Sequence, residues 1–456
     1  MKIAFYTLGC KVNQYETQAL EQMLTRRGHD IVPFEAAADA YIINTCTVTA
    51  VSDKKSRQVI RRARKQAPEA VVAVCGCYPQ THPGDVEKLE VDLIGGTGDR
   101  TGFVELLEQT VRERRPVTAL DDAFARRDFE LLPAGGLEGR TRAMLKVEDG
   151  CVNFCSYCII PYARGRVRSL PLEEAVSQAG QLAAQGYREI VLTGIEISSW
   201  GQDLPGRPEL IELLEGLSRG LGADVRLRLG SLEPRTITED FCRRAARLPQ
   251  LCPHFHLSLQ SGCDSVLARM NRKYDSERYY KSVKLLREYF SEPAITTDLI
   301  VGFPGETEEE FGQTLDFIQK CAFSAMHIFP YSRRPGTPAD QLSGQVPGPV
   351  KEERAHRAAA VAEEMEAAYL DRWIGRIMPV LFEEERQGLW YGHTPQYLEV
   401  MVKWDRSLHN QMGMVMASGR EGSVLTGEIQ GCTFAAPGAQ QCSVQLGMLS
   451  TEEYSL

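Results

Sequence analysis

Residues Asp149 to Cys158 read Asp-Gly-Cys-Val-Asn-Phe-Cys-Ser-Tyr-Cys and set three thiols, Cys151, Cys155 and Cys158, in a C-x3-C-x2-C spacing. Thiolates are soft ligands, and the irons of iron-sulfur clusters are normally held by cysteine sulfur, so a trio this tight suits a cluster. No fourth cysteine lies nearby. One iron is then left without a protein ligand, open to a small molecule that chelates it. Structural zinc asks for four closed ligands, usually paired C-x2-C or C/H units, and no second pair is close by.

A chain of 456 residues with 43% hydrophobic content can bury a sizeable core and suggests two or three domains. The stretch Ile3 to Cys10 is too short for a signal peptide, and no run approaches the apolar length of a membrane span. The expected setting is the cytoplasm, with no membrane partner. Thirteen cysteines then argue for metal ligation or catalysis over a disulfide framework. A net charge of -9 gives no global attraction to nucleic acid, so any RNA contact must come from local basic patches.

The elements that position these groups fall into three blocks. In the first, strand-like runs at Lys2 to Leu8, Ala40 to Asn44, Ala70 to Val74 and Val91 to Gly95 alternate with helical segments, which implies an open parallel sheet over residues 1–110. Ligands gather at the carboxyl ends of such strands. Three thiols sit there: Cys10, Cys46 and Cys77. Convergence on one edge makes a second three-cysteine cluster site. Cys77 is favoured over Cys75 because it lies beyond Gly76, in the loop, whereas Cys75 ends the strand and packs.

Residues 108–142 carry charge runs and little periodicity, as a linker does. A second alternation follows over 140–340, with strands at Ala143 to Val147, Glu189 to Thr193, Val225 to Leu229, Phe255 to Leu259, Ile295 to Val301 and Met326 to Pro330. Six βα units are too few for the usual closed barrel and predict an open partial one. After an Ala- and Glu-rich helix from Lys351 to Ile374, short strands with Gly and Asn turns over 375–448 predict a small all-β barrel. The fold class is α/β with a C-terminal β appendage.

The C-x3-C-x2-C spacing resembles that of the radical S-adenosylmethionine (SAM) enzymes, where the amino and carboxylate groups of SAM take the vacant iron. Five further features narrow the resemblance: Thr-Leu-Gly-Cys-Lys-Val-Asn-Gln-Tyr-Glu-Thr from Thr7, Asn-Thr-Cys-Thr-Val-Thr from Asn44, Gly76-Cys77, Ile-Ile-Pro-Tyr-Ala-Arg-Gly from Ile159, and Val-Gly-Phe-Pro-Gly-Glu-Thr from Val301. Together they resemble the methylthiotransferases along the whole chain, the last block being similar to an OB-like TRAM domain. The wording around Cys10 and Cys46 resembles the branch acting on N6-threonylcarbamoyladenosine in tRNA. The neighbouring branches act on isopentenyladenosine in tRNA or on a ribosomal protein aspartate. A reading of another class is an iron-sulfur RNA-binding or electron-transfer protein.

The resemblance implies two [4Fe-4S] clusters, one on Cys151, Cys155 and Cys158 and one on Cys10, Cys46 and Cys77, with SAM as cofactor, an electron donor protein, and the tRNA anticodon stem-loop as partner. An adenine C2–H is neither acidic nor electrophilic enough for ordinary acid-base attack. Sulfur insertion there calls for a radical, which reductive cleavage of SAM would supply. Tyr157, within the cluster motif, matches the aromatic that lies beside the SAM adenine in the superfamily. Gly194 and Glu196 follow the second strand, where the methionyl amine is recognised, although Thr-Gly-Ile-Glu departs from the superfamily's Gly-Gly-Glu. Ser231, Glu233 and Gln260 sit at the same active edge. Cys242, Cys252, Cys321, Cys432 and Cys442 read as packing residues, and Cys263 has no partner cysteine at ligand spacing.

Lys54, Arg57, Arg61 and Arg64 recur at three- and four-residue steps and make a basic stripe after Cys46, suited to RNA phosphates. Arg333 and Arg334 are secondary phosphate candidates. A threonylcarbamoyl group is a bulky anion and needs a cation near the adenine, for which Arg166, Arg272 and Arg333 are candidates.

Overall fold

The computed structural model describes residues 1–135 and 141–432. The N-terminal sheet is all-parallel, in the order Asp30–Val32, Lys2–Thr7, Ala40–Thr45, Val71–Gly76, Leu93–Gly95, Val117–Ala119. Its central strands, Ala40–Thr45 and Val71–Gly76, are buried along their whole length, the mark of a parallel sheet covered on both faces. Helices Lys11–Arg26, Ala50–Gln66 and Arg100–Glu113 cover those faces. The second helix starts where Thr49 caps the Ser52 amide.

The sheet extends further than the sequence implies. Residues 108–142 were expected to be a linker, yet they contain the end of helix Arg100–Glu113 and the edge strand Val117–Ala119. The strand spans three residues among charged neighbours, too short for an alternation to show. Asp30–Val32 escaped for the same reason.

In the second block, parallel strands Arg142–Lys146, Glu189–Thr193 and Arg226–Leu229 pair in one sheet, and His254–Leu257, Ala294–Val301 and Ala325–Pro330 in another that the short Ser231–Leu232 strand joins. A parallel bridge between Leu227 and Leu251 carries the sheet across the seam, giving the expected partial barrel. Period-two alternation decides its two faces. Ala143, Leu145, Ile190, Leu192, Leu227, Leu229, Phe255 and Leu257 join the core beneath the helices. Arg142, Glu189, Arg228, His256 and Asp298 lie on the opposite face and line the lumen. His327 and Phe329, also on that face, stay exposed, so the lumen is open to solvent.

Helix Gly348–Asp371 packs on the last barrel strand and leads into a closed five-stranded barrel, ordered Ile377–Arg386, Leu389–His393, Glu399–Lys403, Val424–Cys432, Met412–Glu421. This is the OB-like appendage that the turn-rich C-terminal pattern predicts. It closes the amino-terminal end of the partial barrel: Arg142 pairs with Glu383 at 2.7 Å, and Arg228 donates to the Pro395 carbonyl at 2.9 Å. Cys442 lies outside the described residues, as does the environment of the Cys432 side chain.

Candidate active site: two thiol trios and the residues between them

Cys151, Cys155 and Cys158 occupy one loop beyond the first barrel strand. The loop hangs on the segment after helix Asp264–Arg269: Ser156 donates its amide to Met270 O at 2.9 Å and its hydroxyl to Arg269 O at 2.8 Å, while Asn271 Nδ2 donates to Phe154 O at 2.8 Å. Next along the chain, Arg272 Nη1 donates to Cys155 Sγ at 3.2 Å. Burial pushes the Cys158 thiol up to about 12 and the Cys151 thiol well above its ordinary value. These sulfurs become thiolates only against a strong local positive charge, which bound iron provides.

Cys10, Cys46 and Cys77 sit at the carboxyl ends of the neighbouring strands Lys2–Thr7, Ala40–Thr45 and Val71–Gly76. Each thiol lies within electrostatic reach of the others, and burial pushes Cys77 up to about 12. Two glycines make the convergence possible. A Cβ on Gly9 would stand 3.0 Å from Cys46 Cβ, and one on Gly76 would stand 2.5 Å from Thr45 O; both have positive φ. Asn13 ties the loops together, donating through Nδ2 to Leu8 O at 3.0 Å and Thr45 O at 2.8 Å. Cys75 belongs elsewhere: fully buried, it packs with Ile42, Ala73, Leu93 and Phe103. Among the described residues no three His, Cys, Asp or Glu side chains draw together tightly enough for a single metal ion. The case for two trios therefore stands on shared loops and edges and on an all-sulfur donor set, which suits a cluster.

A buried ionic network joins the trios. Glu16, on the helix that follows Cys10, meets Arg100 at 2.7 Å, Lys146 at 3.2 Å and the guanidinium of Arg164. Arg164 also donates to Asn13 Oδ1 at 3.1 Å, and Lys146 and Arg168 reach Asp149 at 3.2 and 3.3 Å. Burial alone would raise the Glu16 carboxyl, but Arg100, Arg164 and Lys146 outweigh it and hold it well below the usual range. The same contest leaves Asp149 at about 2, with Lys146, Arg164 and Arg168 prevailing over burial. Asp149 is two residues from Cys151, and Asn13 is three from Cys10, so the network fixes one loop against the other. Sequence reasoning missed it. Glu16 and Arg164 stand inside motifs read above only as family signatures, and nothing local marks them as partners.

The active edge brings some expected SAM contacts together and leaves others apart. Arg272 lies within electrostatic reach of both Tyr157 and Glu196, and Tyr157 stands edge-on to Phe303 with ring centroids 6.5 Å apart. Burial lifts the Glu196 carboxyl to about 7, Arg272 opposing and Glu233 adding to the rise. Glu196 and Glu233 border a cavity of ≈ 500 Å³ that also takes in Val152 and Asn153 of the cysteine loop. Gly194 has a specific reason to lack a side chain: a Cβ there would stand 2.7 Å from Glu148 Oε2, which accepts the Glu196 amide at 2.7 Å. The buried Glu148 Oε1 has no partner among the described residues, an acceptor the sequence did not single out. Ser231 is exposed on the lumen side, opposite Leu232. Gln260 is buried at φ +71, its main chain bridging Asp298 O and Ile300 N.

The chain matches the model of the radical SAM superfamily over residues 145–318 and that of uncharacterized protein family UPF0004 over residues 2–96. It is 42% identical to threonylcarbamoyladenosine tRNA methylthiotransferase MtaB of Bacillus subtilis (strain 168), covering 88% of this chain and 90% of that one. The chain belongs to the tRNA methylthiotransferase family. Another family member, the MtaB of Thermotoga maritima, is 38% identical over 87% of this chain and 89% of its own. The tRNA-2-methylthio-N(6)-dimethylallyladenosine synthase of Caldicellulosiruptor saccharolyticus is 35% identical, covering 87% and 86%. Among solved structures, the radical SAM methyltransferase TsrM of Kitasatospora setae shares the fold, with a TM-score of 0.55 at 18% identity over 74% of this chain and 75% of that one.

For a family defined by a tRNA substrate, the basic stripe matters, and the structure divides it. Lys54 and Arg61 are exposed. Arg57 donates to the Tyr78 hydroxyl at 2.9 Å. Arg64 is engaged by Glu90 O, Pro68 O and the Asp92 carboxylate, which locks its guanidinium against its own domain. Arg334 is a correction: it is buried, donating to Thr47 Oγ1 at 2.6 Å and pairing with Asp53, so it fastens the barrel to the N-terminal domain and is closed to phosphate. Arg333 remains largely exposed beside Asp340.

Proposed function

We propose that this protein methylthiolates C2 of N6-threonylcarbamoyladenosine, the modified adenosine 3′ of the anticodon in tRNA, by radical SAM chemistry in the cytoplasm. The observation that carries the reading is the likeness to MtaB enzymes, 42% and 38% identical over nearly nine-tenths of the chain, against 35% for a dimethylallyladenosine enzyme. No helix of the described residues is long and apolar enough to cross a membrane.

Cys151, Cys155 and Cys158 would hold one [4Fe-4S] cluster and Cys10, Cys46 and Cys77 the other, and each all-sulfur donor set fits that role. When bound, these groups supply the electron that cleaves SAM and the open iron that carries sulfur. The chain's own part is placement. Arg272, fixed by its hydrogen bond to Cys155 Sγ, sets a positive charge at the mouth of the barrel, where Tyr157 and Glu196 face it. Asn13, Glu16, Arg164 and Asp149 hold the two cysteine loops in one frame. Lys54, Arg61 and Arg333 offer exposed charge to phosphates near the Cys46 loop. An electron donor protein completes the system.

The test is a purified assay. Anaerobically reconstituted protein should convert tRNA bearing N6-threonylcarbamoyladenosine to the 2-methylthio nucleoside, seen by mass spectrometry, and should leave isopentenyladenosine tRNA unchanged. Equal turnover of both, or turnover of the second alone, rejects the substrate.

A further inference from the structure

The last barrel strand, Ala325–Pro330, turns Met326 and Ile328 toward the core, so period-two alternation sends His327 and Phe329 into the lumen, where both stay exposed. Neighbouring strands set polar groups beside them. His327 stands opposite Asp298 in the register, and one alternation deeper Thr296 stands opposite His256, which pairs on its other side with Ser231. The rings of His256 and His327 have centroids 6.2 Å apart, and those of His327 and Phe329 6.5 Å apart.

Hydrogen bonds place this wall beneath both cysteine loops. Three residues beyond Phe329, the Ser332 hydroxyl accepts the amide of Ala50, the first residue of the helix that follows the Cys46 loop, at 3.2 Å. Two residues beyond His256, the Ser258 carbonyl accepts Arg272 Nη2 at 3.5 Å, and the same guanidinium donates to Cys155 Sγ. Phe329 therefore marks the mouth. A strand rises about 3.3 Å per residue, so His327 lies about 7 Å further down the lumen.

The two histidines differ in what they have left to offer. His256 is engaged on both nitrogens: Nδ1 meets Thr296 Oγ1 at 3.0 Å, and Nε2 lies 3.3 Å from Asp298 Oδ2. Among the described residues neither ring nitrogen of His327 has a hydrogen-bond partner, and neither does Asp298 Oδ1. An imidazole carries at least one N–H in every protonation state, and a carboxylate oxygen accepts. His327 and Asp298 thus present a donor and an acceptor side by side in an open lumen, free for a ligand. Arg272 and Arg333, the cations expected from the sequence to read the substrate, are held by Cys155 and Asp340.

We propose that His327 and Asp298 determine substrate choice: with the adenine lying on Phe329, the threonylcarbamoyl group descends into the lumen, its carboxylate accepting from His327 and its hydroxyl donating to Asp298. The inference rests on the substrate reading above. The threonyl carboxylate and hydroxyl sit on adjacent carbons, as the donor and acceptor sit on adjacent strands, so Asp298 meets a donor and not the anion. An exposed aromatic ring at the mouth suits a base of any sequence context. An isopentenyl group has neither polar function and would cover the pair with apolar carbon, a penalty that excludes that substrate.

The experiment measures binding, by fluorescence anisotropy without SAM, of synthetic anticodon stem-loops whose adenosine carries one of four groups. These are threonylcarbamoyl, a hydroxypropylcarbamoyl that lacks only the carboxylate, a glycylcarbamoyl that lacks the hydroxyethyl side chain, and isopentenyl. The iron-loaded wild type is compared with His327→Leu, His327→Gln and Asp298→Ala at equal iron content. The wild type should bind the threonylcarbamoyl stem-loop about 10- to 100-fold more tightly than the isopentenyl one. His327→Leu should weaken the two carboxylate-bearing stem-loops about 10-fold and spare the hydroxypropyl one, while His327→Gln, which keeps an N–H donor, retains most of the affinity. Asp298→Ala should weaken the two hydroxyl-bearing stem-loops and spare the glycyl one. Weakening that ignores which group is missing, in either variant, overturns the proposal, as does a wild type that binds the threonyl and hydroxypropyl stem-loops equally. A wild type that prefers the isopentenyl stem-loop would instead reject the substrate reading itself. Should His327→Leu not hold iron, His327→Phe carries the same comparison, and a preference for the carboxylate retained there refutes the proposal.

Discussion

Cys151, Cys155 and Cys158 share a single loop, whereas Cys10, Cys46 and Cys77 arrive from the ends of three separate strands. The first trio needs little beyond its own segment and the contacts to Arg269, Met270 and Asn271. The second exists only once the parallel sheet has formed and Gly9, Gly76 and Asn13 have let three loops approach. Their charged neighbours differ in the same sense. Arg272, beside Cys155, belongs to the same domain, while Arg164, within electrostatic reach of Cys77, comes from the other. A local site tolerates changes in domain docking. A convergent one inherits every change in the fold around it.

The largest expected effect tests whether both trios bind at all. Reconstituted protein should carry about eight iron atoms, and replacing either trio with alanine should remove about half of them. Only the Cys151/Cys155/Cys158 variant should also lose SAM cleavage, measured as 5′-deoxyadenosine. If either triple variant keeps all its iron, that trio is not a site.

Next in size is the link between them. Glu16→Ala leaves Arg100, Arg164 and Lys146 buried around an empty position, and removing one partner of such a network should destabilise the protein by about 3–5 kcal/mol in denaturant unfolding. Iron at the convergent trio should be lost at lower urea than iron at the local one. The sign of the pH dependence follows from the depressed Glu16 carboxyl: its stabilisation is complete above the ordinary glutamate value of about 4.3 and disappears as pH falls through the lower folded value. Glu16→Gln should therefore make acid unfolding less steep. A change within about 1 kcal/mol for Glu16→Ala would show that the domains dock without the network.

A smaller effect separates the trios electrostatically. Arg272→Ala removes the donor to Cys155 Sγ and should lower SAM cleavage by about 10- to 100-fold, as losing an outer partner of a metal ligand does. The spectrum of the other cluster should stay as in the wild type. Equal perturbation of both clusters would mean that Arg272 acts through global stability.

The same contrast explains what the sequence made legible. Cys151, Cys155 and Cys158 are readable from spacing alone because one loop encodes their geometry. Cys10, Cys46 and Cys77 required a topological argument, strand ends on one edge of a parallel sheet, which the strand order supports. The partial barrel and the C-terminal barrel were legible from alternation and turn residues. Val117–Ala119 was not, since three residues carry no periodicity. Glu16 and Arg164 were hidden for another reason. They pair with each other across 148 residues of chain, and pairing at that range leaves no local pattern. Arg334 shows the reverse error, since a basic residue after a barrel strand looks like an RNA contact until burial against Asp53 and Thr47 is seen.

The smallest effect decides which thiol of Cys75-Gly76-Cys77 belongs to the convergent trio. Cys75 is wholly buried in the strand that also contributes Val74, and burial pushes its thiol up to about 11 with Arg100 opposing and no trio sulfur among its neighbours. Cys75→Ala should behave as an ordinary core truncation, a loss of about 1 kcal/mol with iron unchanged. Cys77, one residue beyond the positive-φ Gly76, points out of the sheet edge toward Cys10 and Cys46, and its alanine variant should lose about half of the iron with little change in folding. An iron-depleted Cys75→Ala beside an iron-replete Cys77→Ala would reverse the assignment. It would require the Gly76 turn to rearrange, because Cys75 Sγ reaches the edge only by leaving the core formed with Ile42, Leu93 and Phe103.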